Sequence, residues 1–331
     1  MRYVELVRKV YDSLLITDFH KVLKGANNDF DEVNKKLQKK FQLAELRESY
    51  IREISSTIDK HLPFFKEDFN NFLKIKEVSF YYYNISSSTA SHLFWIWSKN
   101  LNLSEESLNE FIQSFFLGVF GYKMIDFQND NRNTNAELSF VGLYSIKVAE
   151  QLLENILGKE ITNPIFLKYA RMYTEIEYLE KKNKWKSSIF TWDNPKKLGF
   201  KASPTFIIYE SLFRYAGYKE KKIGELIEGL LHLSAALQLI DDLADAKQDL
   251  ENGYETLVMR DYYASFGASS EITDEKISEI LSQKRLKLAY TTGKGLFDKA
   301  RKMIEKHDEF ILQLLIEIQN LNFTTLFEVK E

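Results

Sequence analysis

Only four prolines interrupt 331 residues, and this constrains the fold more than any other feature. Proline removes a backbone donor and clashes with the preceding turn, so a chain with so few can build long helices. Apolar residues follow helical spacing almost throughout. Val4, Val7, Val10, Leu14 and Leu15 set the pattern over 1–24, close to the i, i+3, i+4, i+7 template, and a polar amphipathic helix follows over 31–60. Residues 63–83 are less regular. Ser104 before "EESLNEFIQSFF" is a helix start, with a capping hydroxyl and acids in the first turn; that helix runs toward Asp130. Further helices are predicted at Glu137–Leu157, from Asn163 and Pro164 to about Lys182, and at about 204–216, 220–251, 272–290 and 294–319. The stretch 181–204, with seven lysines and two prolines, lacks helical period and reads as a loop. No run alternates as a strand would, and there are no repeats. The expectation is all-α, one domain over 1–331, about ten helices.

Composition narrows the class. A chain of this length buries roughly 75% of its unfolded surface, and 25 Phe with 18 Tyr supply a large core or an apolar cavity lined with rings. A net charge of −3 gives no nucleic-acid footprint. With no cysteine there is neither a disulfide framework nor a thiolate zinc site. The N-terminus shows no signal-peptide pattern, and no uninterrupted apolar run approaches the roughly 20 residues of a membrane span. A soluble cytoplasmic protein is expected.

Against that background "QLIDDLADAKQDLENG" (238–253) stands out. On a helix, with 100° per residue, Asp241, Asp242, Asp245, Asp249 and Gln238 share one stripe about 100° wide. A solvated acidic face is the ordinary explanation for such a run. Here the preceding turns, "IGELIEGLLHLSAALQLI", are apolar nearly all round, which marks a buried helix. Like charges at i, i+4 cost roughly 0.2–0.5 kcal/mol per pair when exposed, and several kcal/mol each when buried without partners. Something cationic must face the stripe: a metal or a basic ligand. An all-carboxylate oxygen set suits a hard cation, Mg²⁺ or Mn²⁺, which completes its octahedron with water and phosphate oxygens. A second set stands in "FFLGVFGYKMIDFQNDNRN" (115–133), where Asp126 and Asp130 are i, i+4 at the end of another apolar helix.

Two aspartate-bearing helices 115 residues apart in an all-α chain resemble the class I isoprenoid synthase superfamily: terpene cyclases, prenyl diphosphate synthases and squalene/phytoene synthases. Asp126 and Asp130 in "DFQND" match the family's first motif, DDxxD or DxxxD, without its usual paired aspartates. In "DDLADAKQDLENGYETLV", Asp241, Asp245 and Asp249 match the three ligand positions of the cyclase motif, followed by Gly253 and Leu257-Val258. Gln238, Asp241, Asp242 and Asp245 equally match the Q-x-x-D-D-x-x-D segment of chain-elongating synthases. Lys201 in "GFKASP", forty residues before Asp241, matches the diphosphate-binding lysine of those synthases; cyclases usually place an arginine near here. The matched region covers roughly 110–260, within a motif-bearing core of about 104–260.

The resemblance implies a single-domain helical bundle around a central apolar cavity, with Mg²⁺ (three ions; Mn²⁺ is an alternative) held by Asp126 and Asp130 on one side and by Asp241, Asp242, Asp245 and Asp249 on the other. The substrate would be an allylic prenyl diphosphate, its diphosphate also met by Lys201 and Gln238. Arg260 and Tyr262 in "MRDYY" replace the Arg-Tyr pair of bacterial cyclases. Phe115, Phe116, Phe120, Tyr122 and Trp95 are candidates to face a carbocation, though each fits a core position better; His232, 180° from Asp241 on the helix, reads as packing. No Gly-Gly-Lys and arginine cluster for a second diphosphate stands in the first 110 residues; "KVLKGANND" (21–29) is a poor substitute. The expected activity is therefore a Mg²⁺-dependent class I terpene synthase that ionises and cyclises its substrate. A prenyl transferase is the alternative, and a non-catalytic helical subunit a second, opposed by the intact carboxylates. A homodimer is implied by the resemblance alone.

Overall fold

The computed structural model describes residues 35, 43–72, 103–129, 137–183, 191–252, 256–267, 270–307 and 309–328. Among the described residues there is helix and short connection and no strand. They fall into two compact units, 1–166 with 208–218, and 167–207 with 219–331. The expected helix over 1–24, Trp95, Asp130, Gly253 and the segment 21–29 lie outside the described residues.

The first unit holds α1 (Leu43–His61), a 3-10 turn (Pro63–Phe65), α2 (Lys66–Phe72), α3 (Glu105–Asn129), α4 (Glu137–Leu157) and the opening of α5 (Lys159–Asn183). Ser104 caps α3 as its sequence predicts, its Oγ accepting from the Ser107 N–H at 3.0 Å, which satisfies one of the first-turn donors that a helix leaves without partners. α3 and α4 form the main pair of this unit. Leu117, Phe120, Met124, Ala149 and Leu153 are buried in it, and Ser114 Oγ donates to the Ala149 carbonyl at 2.9 Å. Phe116 and Phe120 are core residues, and Phe120 packs its ring against Phe65 and Phe69 at 5.9 and 5.7 Å.

The second unit takes the rest of α5, a 3-10 helix (Pro195–Ala202), the first residues of α6 (Ser203–Tyr215), then α7 (Glu220–Ala244), α8 (Ala246–Asn252), α9 (Leu257–Phe266), α10 (Asp274–Ile280), α11 (Gln283–Ile304) and α12 (Phe310–Glu328). α7 is its centre and packs on α11 and on the 3-10 helix. By length and composition α7 could cross a membrane, but 61% of its most apolar stretch is buried inside the protein, as suits a core helix.

Several boundaries differ from those the periodicity predicts: α5 already starts at Lys159, with Pro164 inside it, and α9 was not among the expected helices. The helix expected over 220–251 breaks at Asp245, whose φ and ψ are −97° and 12°, and resumes as α8. The helix pair expected at 272–290 and 294–319 is instead α10, α11 and α12. Thr273 caps α10 by accepting from Lys276 N, and α11 runs straight through Gly293. That glycine is a packing notch and not a terminator: a Cβ there would stand 2.2 Å from Phe323 Cζ. Last, residues 195–202 of the expected loop form the 3-10 helix, with Leu198 and Gly199 buried.

Candidate functional site

The second carboxylate motif lies where α7 gives way to α8. Gln238, Asp241 and Asp242 stand on the last turns of α7, Asp245 at the break, and Asp249 on α8. Although the stripe was continuous in sequence, its members differ sharply in exposure: Asp242 is 2% exposed, Asp249 is half-buried, and Asp241 and Asp245 face solvent. Gln238 Nε2 donates to Asp241 Oδ2 at 3.1 Å and to Asp242 Oδ1 at 3.0 Å, one amide tying the two adjacent carboxylates together. Asp242 Oδ2 is buried with no hydrogen-bond partner among the described residues.

The cation that the stripe demands is Lys201. It is delivered by the 3-10 helix, which lies so close to α7 that a Cβ on Gly199 would stand 2.3 Å from the Leu231 carbonyl oxygen. Lys201 Nζ donates to Glu180 Oε1, on α5, at 3.0 Å, and both side chains are largely buried, 17% and 4% exposed. Burial works against the ammonium, but the charges of Glu180, Asp242 and Glu177 more than offset it and hold the lysine above its usual range. On the acids burial prevails. It pushes Asp242 up to about 6, with Lys201 and Gln238 easing the cost and Glu180 and Asp241 adding to it. Asp249 is pushed up to about 7 by burial and then by the charge of Asp242, against relief from Lys201.

These shifts fix a pH dependence. Between the ordinary carboxylate value of 3.8 and the native values of about 6 and about 7, the folded chain holds protons that the unfolded chain has released. Stability must then fall as pH rises through that window and level off above it. Melting temperatures of the metal-free protein are expected to drop between about pH 4 and pH 7, and Asp242→Asn is expected to flatten that slope. An unchanged slope in the variant would mean that Asp242 is ionised in the native chain throughout.

The first motif, in the other unit, is partly described. Asp126 is half-buried on α3 and ion-paired with Lys123, one turn earlier, a partner the sequence reading did not assign. Of the residues expected near the diphosphate, Tyr262 is fully buried in a small core with Ala246, Leu250, Val258, Met259, Ile277 and Ile280, and its hydroxyl donates to the Glu271 carbonyl at 2.7 Å. The structure thus gives Tyr262 a packing role. Arg260 is half-buried on α9, where its charge bears on Asp261. Asp261 accepts from Trp192 Nε1 at 3.1 Å and pairs with Arg285 Nε at 3.1 Å. Together with an ion pair between Lys196 and Glu228, this ties residues 191–202 to α7 and α9.

No family model and no curated protein sequence matches the chain. Solved structures do. A polyprenyl synthase from Roseobacter denitrificans superposes with a TM-score of 0.64 at 14% identity, covering 85% of this chain and 97% of its own. A decaprenyl diphosphate synthase from Rhodobacter capsulatus gives 0.64 at 15% identity, over 84% and 97%. A polyprenyl synthase from Caulobacter crescentus CB15, complexed with calcium and isoprenyl diphosphate, gives 0.60 at 14%, over 84% and 96%. The chain has the all-helical isoprenoid synthase fold. Within that fold the donor set suits a divalent ion bound jointly with a phosphate ligand. The oxygens are hard, Asp242 Oδ2 is an orphaned acceptor, and Asp241 and Asp245 are open to solvent. Among the described residues no three His, Asp or Glu side chains form a ready cage.

Glu180 went unnoticed in the sequence, where it sits in the lysine-rich "YLEKKNK". A signal was present: Tyr169, Tyr173, Ile176 and Glu180 recur at four, three and four residues, and all four are buried, at 0, 9, 5 and 3% exposure. A glutamate that closes an apolar helical stripe needs a cation, and Lys201 is that cation.

Proposed function

We propose that the chain is a divalent-metal-dependent prenyl transferase that couples an allylic prenyl diphosphate to a second isoprenoid unit. The carrying observation is the Gln238 clamp on Asp241 and Asp242. It ties the Q-x-x-D-D part of the chain-elongating register into one hydrogen-bonded unit. Asp245, shared by both registers, stands where the backbone departs from helical geometry, although Asp245 N–H and Asp249 N–H still donate to the carbonyls four residues earlier at 2.9 Å. The likeness to three polyprenyl and decaprenyl synthases over 84–85% of the chain supports the same choice over cyclisation.

In this reading Asp241 and Asp245 of the second motif, like Asp126 and Asp130 of the first, are ligands for Mg²⁺ or Mn²⁺. When bound, the ions supply charge neutralisation at the leaving diphosphate. Gln238 fixes the orientation of the carboxylates through its two bonds. One observation favours cyclisation: Asp249 lies within electrostatic reach of Asp242, so its side chain stays at the motif despite the helix break.

Incubation with Mg²⁺ and geranyl, farnesyl, geranylgeranyl or geranylfarnesyl diphosphate, each with and without isopentenyl diphosphate, tests the proposal. Longer prenyl diphosphates are expected, and only when isopentenyl diphosphate is present. Hydrocarbon or terpene alcohol from an allylic substrate alone would establish the cyclase, and no turnover of any substrate would establish the non-catalytic subunit.

A further inference from the structure

We propose that Lys201 is the resident counter-cation of the second carboxylate motif, and that Glu180 is the positioning residue that draws its ammonium away from Asp242. The inference deepens the metal-dependent reading and rests on it.

The geometry carries it. Lys201 Nζ bonds Glu180 Oε1 at 3.0 Å, while its charge acts on Asp242 and Asp249 as well. An ammonium has three donors and no acceptor, so nothing in its chemistry forbids a bond to Asp242. Yet Asp242 Oδ2 is buried with no hydrogen-bond partner among the described residues, as is Glu180 Oε2. The backbone that carries Lys201 cannot adjust freely, because Gly199 clamps the 3-10 helix against the Leu231 carbonyl and the Ala235 nitrogen. Glu180, fixed on α5 by the buried stripe of Tyr169, Tyr173 and Ile176, takes the bond instead. Lys201 thus offsets charge in the cluster without bonding the buried Asp242 Oδ2, which keeps its lone pairs for a divalent cation.

The same arrangement makes Lys201 a poor primary ligand for a substrate diphosphate. An anion approaching Nζ meets the carboxylates of Glu180, Asp242 and Asp249, all within its field. The lysine of the chain-elongating pattern is present, but its surroundings suit an internal counter-ion.

Mn²⁺ titration of the EDTA-stripped full chain, read by the electron spin resonance of free Mn²⁺, separates these roles. Lys201→Gln removes a repelling cation and is expected to tighten Mn²⁺ binding about tenfold, whereas Glu180→Gln releases the ammonium toward Asp242 and is expected to weaken it about tenfold. Opposite signs support the proposal. Affinities within about twofold of the parent for both variants would overturn it. So would unchanged Mn²⁺ affinity in Lys201→Gln with weakened binding of inorganic pyrophosphate, since that is the behaviour of a diphosphate ligand.

A second readout needs no metal. Melting of Lys201→Gln, Asp242→Asn and the double variant forms a cycle, and removing both charges is expected to restore much of the stability lost with Lys201 alone. Strict additivity would overturn the counter-cation role. A parent chain that binds no Mn²⁺, with or without pyrophosphate, would overturn the metal-dependent reading and with it the role of Glu180 toward the metal, and the melting cycle still decides whether Lys201 balances Asp242.

Discussion

Gly199→Ala is expected to destabilise the second unit by about 3 kcal/mol or more, the upper range for forcing an atom into a packed core. The added Cβ would meet the Leu231 carbonyl oxygen at 2.3 Å, Leu231 Cδ1 at 3.0 Å and the Ala235 nitrogen at 3.1 Å. Two of these are backbone atoms in the middle of α7, held by the helix's own hydrogen bonds, and cannot rotate aside. The 3-10 helix must lift off instead. Leu198, 1% exposed, lifts with it, and exposing a buried leucine alone costs about 1.5–3 kcal/mol. The variant should therefore also lose the Lys201–Glu180 bond. Gly224, on α7, is the control: a Cβ there meets nothing within 4 Å. Gly224→Ala is expected to gain about 0.5–1 kcal/mol, the ordinary preference for alanine inside a helix. Denaturant unfolding of the three proteins decides. Equal midpoints for Gly199→Ala and the parent would mean that the 3-10 helix does not bear on α7 as closely as the structure has it.

The long helices were legible because their signals are local. Ser104 capped the helix predicted for it, and α4 spans Glu137–Leu157, the bounds its apolar spacing set. What failed was whatever depended on a distant partner. Gly293 and Gly199 look alike in sequence, as breakers among lysines, and both are notches: one receives Phe323, the other the backbone of α7. The stretch 195–202 has no helical period of its own because a 3-10 helix has three residues per turn and its order comes from burying Leu198 against a neighbour. The break at Asp245 left no trace in the apolar pattern, which continues through Ala246 and Leu250, 2% and 1% exposed.

The candidate site divides along the same line. Carboxylate spacing marked the motif, and the need for a facing cation followed from charge and burial. Spacing could not say which aspartate turns inward. Asp241 and Asp242 are 100° apart on the helix, and only the docking of α5 and the 3-10 helix decides that Asp242 is the buried one. Tyr262 was misassigned for the complementary reason: proximity to the motif along the chain suggested a ligand contact, whereas its hydroxyl is consumed by the Glu271 carbonyl.

Exposure also tells function from structure in the carboxylates themselves. Asp241 and Asp245 face solvent, and Asp241 accepts one bond from Gln238, so replacing either by alanine is expected to cost no more than about 1 kcal/mol of stability. Asp126→Ala loses one intrahelical pair with Lys123, 24% and 27% exposed, worth about 0–1 kcal/mol. If stability is kept while activity is lost, the carboxylates hold something the folded chain alone does not contain. Under the proposed function each contributes to neutralising a leaving diphosphate, a stabilisation of several kcal/mol in the transition state, so kcat/KM is expected to fall about 10³-fold in each variant. The requirement for Mg²⁺ should shift to higher concentration in parallel, because a ligand has been removed. Turnover, metal titration and melting measured on the same preparations test this together. Parent-like kcat/KM with parent-like metal dependence in Asp241→Ala and Asp245→Ala would remove the second motif from the reaction. A large loss of melting temperature in either would make it a structural residue, in conflict with its open position at the end of α7.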